Sequence, residues 1–380
     1  MNPPSTSSSV QVPLLDLVAQ YAALREEILP AITAVLDSQH CVNGPAVGEL
    51  ESALADYCGS KFAIGVSSGT DALIAALMAL DIRPGDEVIT TPYTFFATAG
   101  SIWRAGATPV FVDIEPDTFN IDPSRIEPAI TERTRAIMPV HLFGQMADMT
   151  AITDIAQRRG LHIIEDAAQA IGATQHGRKA GSLSAIGCFS FYPTKNLGAA
   201  GDAGLCTTDD PALYHRLLTL RNHGAQQRYF HEEVGGNFRL DTLQAAYLLK
   251  KLPHLEAWHQ QRRDNAALYD ELFADVDEVI TPAVAPGNVS IFNQYVVRVP
   301  AACRDALQKH LTSCNVGTAI YYPLSLHEQQ CFASLGGKHG DFPESERAAA
   351  ESLALPIYPE LTETQVRHVV ASMQAFFAAP

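Results

Sequence analysis

The length and composition of the chain exclude several classes of protein. Its 380 residues are 47% hydrophobic and 18% charged, which predicts a folded chain with a large apolar core and more than one domain. The net charge of −16 disfavours nucleic acid and anionic membrane surfaces as partners. The longest uninterrupted apolar stretch, residues 72–80, is far shorter than a membrane-spanning helix requires.

The N-terminal segment and the cysteines favour a cytoplasmic protein. Residues 1–11 are rich in Ser and Pro and lack the basic start and apolar run of a secretion signal, so we expect a disordered lead-in. The seven cysteines form no CxxC pair, and their odd, scattered arrangement predicts reduced and mostly buried thiols. The thirteen histidines form no metal-ligand pattern, and no metal site is predicted.

Apolar runs alternate with helical stretches from residue 62 to about residue 220. This pattern predicts an α/β domain with a mostly parallel, seven-stranded sheet between layers of helices, and we assign residues 12–250 to it. Helices are predicted at residues 71–80 and 149–159. The strands are predicted at residues 62–67, 87–90, 108–112, 135–140, 161–165, 185–191 and 204–207.

The remaining residues, 251–380, are predicted to form a smaller α+β domain. Two helices, at residues 241–251 and 257–273, lead into it and are separated by Pro253. Its own elements are predicted as strands near residues 294–299 and 317–321 and helices near residues 304–311 and 363–377.

Four segments place polar side chains directly after predicted strands, where ligands bind in parallel sheets. Residues 67–71 read Ser-Ser-Gly-Thr-Asp at the start of a predicted helix, which suits either an ordinary N-cap or a phosphate held by free N–H groups. Residues 165–169 end a buried strand in two carboxylates. Asp166 either caps the following helix or pairs with a protonated ring nitrogen.

The other two segments add a lysine and an aromatic face. Among the seven lysines, Lys195 is placed where a strand of the large domain meets a glycine loop, whereas the other six are assigned to helices or polar surface. It is either a solvated loop lysine or a partly desolvated amine that attacks a carbonyl. Residues 91–96 offer Phe95 and Phe96, either for core packing or for stacking on a flat heterocycle.

Each segment alone has an ordinary structural explanation, but the combination points to one cofactor. An anion site, an aromatic platform, a carboxylate and a lysine at one sheet edge match the requirements of pyridoxal 5′-phosphate (PLP). A nicotinamide-dependent dehydrogenase fits less well, because residues 198–204 lack the spacing of a dinucleotide fingerprint and do not follow the first strand.

The same segments resemble those of the DegT/DnrJ/EryC1/StrS family of nucleotide-sugar aminotransferases, which are PLP-dependent enzymes of fold-type I. The resemblance extends from about residue 12 to residue 377. It is carried by residues 68–73, 92–95, 165–169, 190–196 and 235–241.

The resemblance implies a role for each matching residue. Lys195 would bind the cofactor covalently, and Asp166 would pair with its ring nitrogen. The other implied cofactor contacts are Gly69, Thr70 and Ser190 to the phosphate, Phe95 to the ring face, Gln169 near the 3-hydroxyl, and Asn237 from the neighbouring subunit. The implied sugar contacts, also expected from the partner chain, are Arg239, Tyr321, Tyr322 and His327.

The implied reaction moves the amino group of L-glutamate to a keto sugar attached to a nucleotide. It passes through the pyridoxamine phosphate (PMP) form of the cofactor and requires a homodimer with shared active sites. Residues 321–323 resemble members that act on 3-keto sugars more than those acting on 4-keto sugars. The alternatives are a sugar dehydratase, whose branch replaces the lysine with histidine, another fold-type I transaminase or lyase, and a non-catalytic regulator that keeps the fold.

Overall fold

The computed structural model describes residues 10–378. The helices are α1 (Leu17–Ser38), α2 (Pro45–Cys58), α3 (Gly69–Ala79), α4 (Ala97–Arg104), α5 (Met149–Arg159), α6 (Pro211–Arg221), α7 (Thr242–Lys251), α8 (Leu255–Phe273), α9 (Ala301–Ser313), α10 (Pro343–Glu351) and α11 (Glu363–Phe377). The strands are β1 (Phe62–Val66), β2 (Glu87–Thr90), β3 (Thr108–Phe111), β4 (Thr134–Ile137), β5 (His162–Asp166), β6 (Thr174–Gln175), β7 (Arg178–Lys179), β8 (Ile186–Ser190), β9 (Gly204–Thr208), β10 (Ala225–Gln227), β11 (Phe230–His231), β12 (Asn288–Val289), β13 (Tyr295–Arg298) and β14 (Ser352–Leu355).

The central sheet confirms the predicted architecture. Its seven strands lie in the order β1-β9-β8-β5-β4-β2-β3. Pairing is parallel from β3 through β8, and β9 runs antiparallel to both of its neighbours. The carboxyl ends of the parallel strands and the start of β9 therefore meet at one edge.

The two faces of the sheet pack against different helices because strand side chains alternate in direction. On β5, Ile163 packs in a core that includes residues of α1, α2, α5 and α7. The adjacent Ile164 packs in a second core with residues of α3, α4 and α6. Both faces of β5 are thus apolar, as expected for a buried parallel strand.

A third core unites the C-terminal elements with the beginning of the described chain. Val12 pairs with Val316 in an isolated parallel bridge and is buried among residues of α8, α9 and α11. Val10 packs against the same core, and the Gln365 side chain donates a 3.0 Å hydrogen bond to the backbone oxygen of Gln11. The predicted boundaries at residues 12 and 250 stay a prediction, and most of the predicted lead-in, residues 1–9, lies outside the described residues.

One predicted strand is wrong. Residues 317–321 form an isolated bridge between Ala319 and Ala354 and no regular strand. The partner of β13 is β14, which pairs with it over four residues and leaves the 317–321 segment free to continue toward the sheet edge.

The cysteines are less buried than predicted. All seven are free, but only Cys58, Cys188 and Cys206 are buried, and Cys331 is exposed. Among residues 10–378, no helix is long and apolar enough to cross a bilayer.

Candidate active site

A cavity of about 570 Å³ opens at the edge where the strand ends meet. Nine of the twelve predicted site residues form part of its wall, together with neighbouring residues. The lining comprises Ser68, Gly69, Thr70, Leu73, Thr94, Phe95, Ala97, Val140, Asp166, Ala168, Gln169, Ser190, Tyr192, Thr194, Lys195, Asp202, Gln294, Tyr321 and Tyr322.

The turn from β1 into α3 combines both readings of its sequence. Ser68 is the N-cap, and its hydroxyl accepts a 3.0 Å hydrogen bond from the N–H of Asp71. Gly69 and Thr70 precede that residue in the first turn, where N–H groups have no partner within the helix, and both line the cavity. The turn is therefore a capped helix whose first N–H groups would suit an anion, and phosphate binding there stays a prediction.

Glycine is required at position 69 because α3 packs directly on the end of β8. A Cβ placed there would lie 2.6 Å from the Ser190 Cβ. We expect Gly69→Ala to displace the first turn of α3 and weaken binding of an anion such as inorganic phosphate, as measured by calorimetry.

The matched control for Gly69→Ala is Gly48→Ala. Gly48 lies within α2 with nothing within 4 Å of a built Cβ, so alanine should raise stability by about 0.5–1 kcal/mol. Equal effects of the two substitutions in thermal unfolding and phosphate binding would contradict the packing argument.

The two carboxylates at the end of β5 point to opposite faces of the sheet. Glu165 accepts hydrogen bonds from His141 Nε2 at 2.9 Å and from the N–H groups of Gly181 and Leu183. Burial raises the pKa of Glu165, but these donors outweigh burial and leave the pKa below its ordinary value. The Glu165 carboxylate is thus occupied by hydrogen bonds that stabilise the fold.

Asp166 faces the cavity and has different partners. Its Oδ2 accepts a 2.7 Å hydrogen bond from the hydroxyl of Thr98 on α4, and Oδ1 accepts a 3.3 Å bond from the N–H of Ala168. The Thr94 hydroxyl lies 3.0 Å from the Thr98 hydroxyl. Burial raises the pKa of Asp166, and the donors and the Lys195 charge oppose it. A cationic partner would add to that opposition and keep the carboxylate ionised.

Thr98 was not found by sequence reasoning, yet it orients the Asp166 carboxylate. We expect Thr98→Val to weaken cofactor retention about tenfold, because one hydrogen bond to a buried carboxylate is lost. Thr98→Ser keeps the hydroxyl and should retain the cofactor nearly as wild type. Equilibrium dialysis of PLP measures both, and equal losses for the two variants would contradict this role.

Lys195 lies in the loop after β8, on the cavity wall. Its backbone N–H donates a 2.8 Å hydrogen bond to Tyr192, and its side chain is partly exposed to the cavity. Burial lowers the pKa of Lys195 to about 8, and the charge of Asp166 opposes that shift. The structure therefore favours the partly desolvated amine over the solvated loop lysine.

Gln169 and Tyr322 form a polar contact on the cavity wall. The Gln169 side chain accepts a 2.7 Å hydrogen bond from the N–H of Phe143 and donates a 3.1 Å bond to the Tyr322 hydroxyl. Phe95 is 57% exposed, and its ring centroid lies 6.2 Å from that of Tyr322. Tyr321 and Tyr322 therefore line the cavity of their own chain, and the expectation that they come from the partner is wrong.

Three predicted site residues lie outside this cavity. Asn237 is exposed, and Arg239 donates a 2.9 Å hydrogen bond to Asn222; their segment pairs with the end of β1. His327 is buried and its Nε2 lies 3.0 Å from Glu346. The roles of all three stay predictions.

Sequence reasoning also missed cavity residues supplied by other segments. Tyr192 and Thr194 shortly precede Lys195, Asp202 precedes β9, and Gln294 precedes β13. The first two could have been inferred from their position beside Lys195. Gln294 offers no such signal, because only the tertiary fold brings it to the cavity.

Comparison with known proteins identifies the family. A model of the DegT/DnrJ/EryC1/StrS aminotransferase family matches residues 22–374. The chain belongs to this family.

Two curated relatives and one solved structure illustrate the similarity. A "pleiotropic regulatory protein" of Geobacillus stearothermophilus is 50% identical, with 97% of this chain and 99% of that protein covered. A UDP-N-acetyl-3-dehydro-α-D-glucosamine 3-aminotransferase of Acidithiobacillus ferrooxidans is 44% identical, with 96% and 97% covered. The structure of NtdA from Bacillus subtilis with bound PMP is 32% identical, with a TM-score of 0.92 and 99% and 87% covered.

As a member of the DegT/DnrJ/EryC1/StrS family, the protein is a PLP-dependent aminotransferase. The residues of the cavity fit this cofactor. A helix N-terminus suits a phosphate, the buried Asp166 suits a protonated ring nitrogen, and Lys195 offers an amine to an aldehyde. The absence of a side chain at Gly69 lets the first turn of α3 lie directly against Ser190, so the residues expected to hold the phosphate are neighbours.

The bound cofactor supplies an electron sink for the breaking of a Cα–H bond. In this family member, Gly69, Thr70 and Ser190 would hold the phosphate, and Asp166 would hold a proton on the ring nitrogen. The Lys195 amine, with a pKa of about 8, can accept and return a proton near neutral pH.

Proposed function

We propose that the protein transfers the amino group of L-glutamate to the keto carbon of a nucleotide-linked sugar. The observation that carries the proposal is that Lys195 and Asp166 line the same cavity at the sheet edge. The lysine at position 195 favours amino transfer over sugar dehydration, because the resemblance implies that the dehydratases of this family have histidine there. The product is an amino sugar for a glycan or a natural product.

We prefer a 3-keto sugar as the acceptor over a 4-keto sugar. Tyr321 and Tyr322, whose sequence suggested this preference, line the cavity beside Gln169. The Acidithiobacillus relative, by its name, aminates carbon 3 of a UDP-linked sugar. Both observations support the preference for a 3-keto acceptor.

A panel of UDP- and dTDP-linked 3-keto and 4-keto sugars, each supplied with L-glutamate, tests the proposal. We expect 2-oxoglutarate and an amino sugar in equal amounts from at least one 3-keto substrate, with the aminated carbon assigned by NMR. Turnover of the 4-keto set alone would overturn the positional preference. No turnover of any sugar, with the cofactor bound, would favour the regulatory alternative suggested by the name of the Geobacillus relative.

We also propose a homodimer in which each active site takes residues from both chains. Among the described residues that line the cavity, Lys195 is the one cationic side chain, whereas glutamate carries two carboxylates. Arg239 is half-buried at the end of β1 and could supply a bidentate carboxylate contact across the dimer. The hairpin β10–β11 exposes Tyr229 and Phe230, which suits packing against a second copy.

Heterodimers test the shared site. Lys195→Ala and Asn237→Ala chains, each inactive alone, should recover about a quarter to a half of the wild-type activity when mixed, because one site per heterodimer keeps both residues. Native mass spectrometry verifies the heterodimer. Verified heterodimers without recovered activity would remove Asn237 from the partner's site.

A further inference from the structure

Lys251, the last residue of α7, is a buried lysine. Its side chain is 2% exposed, and its Nζ donates a 2.7 Å hydrogen bond to the backbone oxygen of Gly198. The same nitrogen lies 5.3 Å from the centroid of the Tyr247 ring and 5.7 Å from that of the Trp258 ring.

The burial of this ammonium costs free energy that its contacts offset only in part. Among residues 10–378, no carboxylate lies within ion-pair distance of Lys251, so the charge is balanced by one carbonyl and two aromatic faces. Burial lowers the pKa of Lys251 to about 8, with Glu360 opposing and Arg262 reinforcing the shift. An apolar side chain would fill the same space without the free-energy cost of burying a charge. Stability alone therefore does not explain a lysine at this position.

Gly198 closes the loop that carries Lys195. The N–H of Ala199 donates a 2.8 Å hydrogen bond to Phe191, which joins the two ends of the loop. A Cβ on Gly198 would collide with the backbone of Pro193, so the loop is folded tightly on itself. A shift of Gly198 would therefore be transmitted to Lys195.

A second anchor of this loop is Asn196, the residue after Lys195. The Asn196 side chain donates a 3.1 Å hydrogen bond to the backbone oxygen of Ile291 and accepts a 2.8 Å bond from Asn293. Lys251 supplies the corresponding anchor at Gly198, from the helix that ends the large sheet domain. The loop is thus held at two points that directly follow the reactive lysine, Asn196 and Gly198.

We propose that Lys251 is a positioning residue, which holds the loop so that the Lys195 amine reaches the aldehyde of the cofactor. This inference rests on the proposed role of Lys195 as the attachment site. Lys251 itself does not touch the cavity.

The test compares Lys251→Met with Lys250→Met. Methionine keeps the length of the side chain and removes its charge and donors, and Lys250 is the exposed neighbour on the same helix. Cofactor-free proteins are mixed with PLP, quenched with borohydride at set times, and digested, and the modified Lys195 peptide is quantified by mass spectrometry. We expect attachment about tenfold to a hundredfold slower in Lys251→Met, because a small displacement of a reacting group has effects of this size. Lys250→Met should match wild type.

A second readout separates positioning from a general role in stability. The pH midpoint of attachment should move in Lys251→Met, since a displaced loop changes the burial of the Lys195 amine. A variant that melts at a lower temperature but keeps the wild-type rate and midpoint would overturn the proposal. If neither Lys251→Met nor Lys251→Leu folds, the residue serves the fold as a whole and the proposal is rejected. Label on another lysine in the wild-type protein would instead refute the role of Lys195.

Discussion

Replacing Lys195 by alanine is expected to abolish covalent attachment of PLP and to lower amino transfer by at least about 10³-fold, because nucleophile and proton carrier are lost together. Lys195 can fill both roles because its amine is partly desolvated and lies close enough to Asp166 to feel that charge. Intact-mass analysis after borohydride reduction measures the attachment. Glutamate-dependent release of 2-oxoglutarate measures the transfer.

The same amine should titrate well below an ordinary lysine. Burial lowers the pKa of Lys195 from 10.5 to about 8, so the neutral and nucleophilic fraction rises with pH and reaches one half near pH 8. The attachment rate of the cofactor-free protein should rise through that pH and level off above it. Lys309→Ala, at an exposed lysine of α9, is the control and should behave as wild type. A covalent adduct persisting in Lys195→Ala would falsify the assignment.

Asp166→Asn is expected to lower amino transfer about 10²-fold or more while leaving the protein folded, since one preorganised charge at the reacting group is removed. Asparagine has nearly the same shape and can still accept the hydrogen bond from Thr98. It cannot, however, hold a protonated ring nitrogen by charge, so the cofactor becomes a poorer electron sink. Covalent attachment to Lys195 should survive, which distinguishes this variant from Lys195→Ala.

Absorption spectra and turnover together measure the effect of Asp166→Asn. Asp277→Asn makes the same chemical change at an exposed site and should leave both unchanged. Wild-type turnover in Asp166→Asn, with the cofactor bound, would mean that the carboxylate has no electrostatic role in the reaction.

The sheet could be predicted from the sequence because each of its strands is a short apolar run with a polar residue at its end. Predicted and observed strands agree to within a few residues, from β1 at Phe62–Val66 to β9 at Gly204–Thr208. Helices α1 and α2 were not predicted. In α1, Pro30 interrupts the helical pattern and only Gln20, Leu24, Ile28 and Val35 are buried, so periodicity gives a weak signal.

The site could be predicted where it follows from the sheet alone. Four cavity residues lie at the end of a strand or shortly after it: Gly69, Asp166, Ser190 and Lys195. The ends of parallel strands meet at one edge of a sheet, which brings these residues together. The bond from Thr98 to Asp166 depends on how α4 packs over the sheet. Contacts of this kind join residues far apart in the chain, and a single sequence does not specify them.

The placement of Val12 has a consequence for synthesis of the chain. The ribosome releases Val12 well before its partners Val316 and α11 are made. The sheet domain lies between them in the sequence and can fold while translation continues, since domains generally fold as units. Val12 must therefore wait for α11, so a fused segment that holds Val12 away from this position would delay formation of the third core.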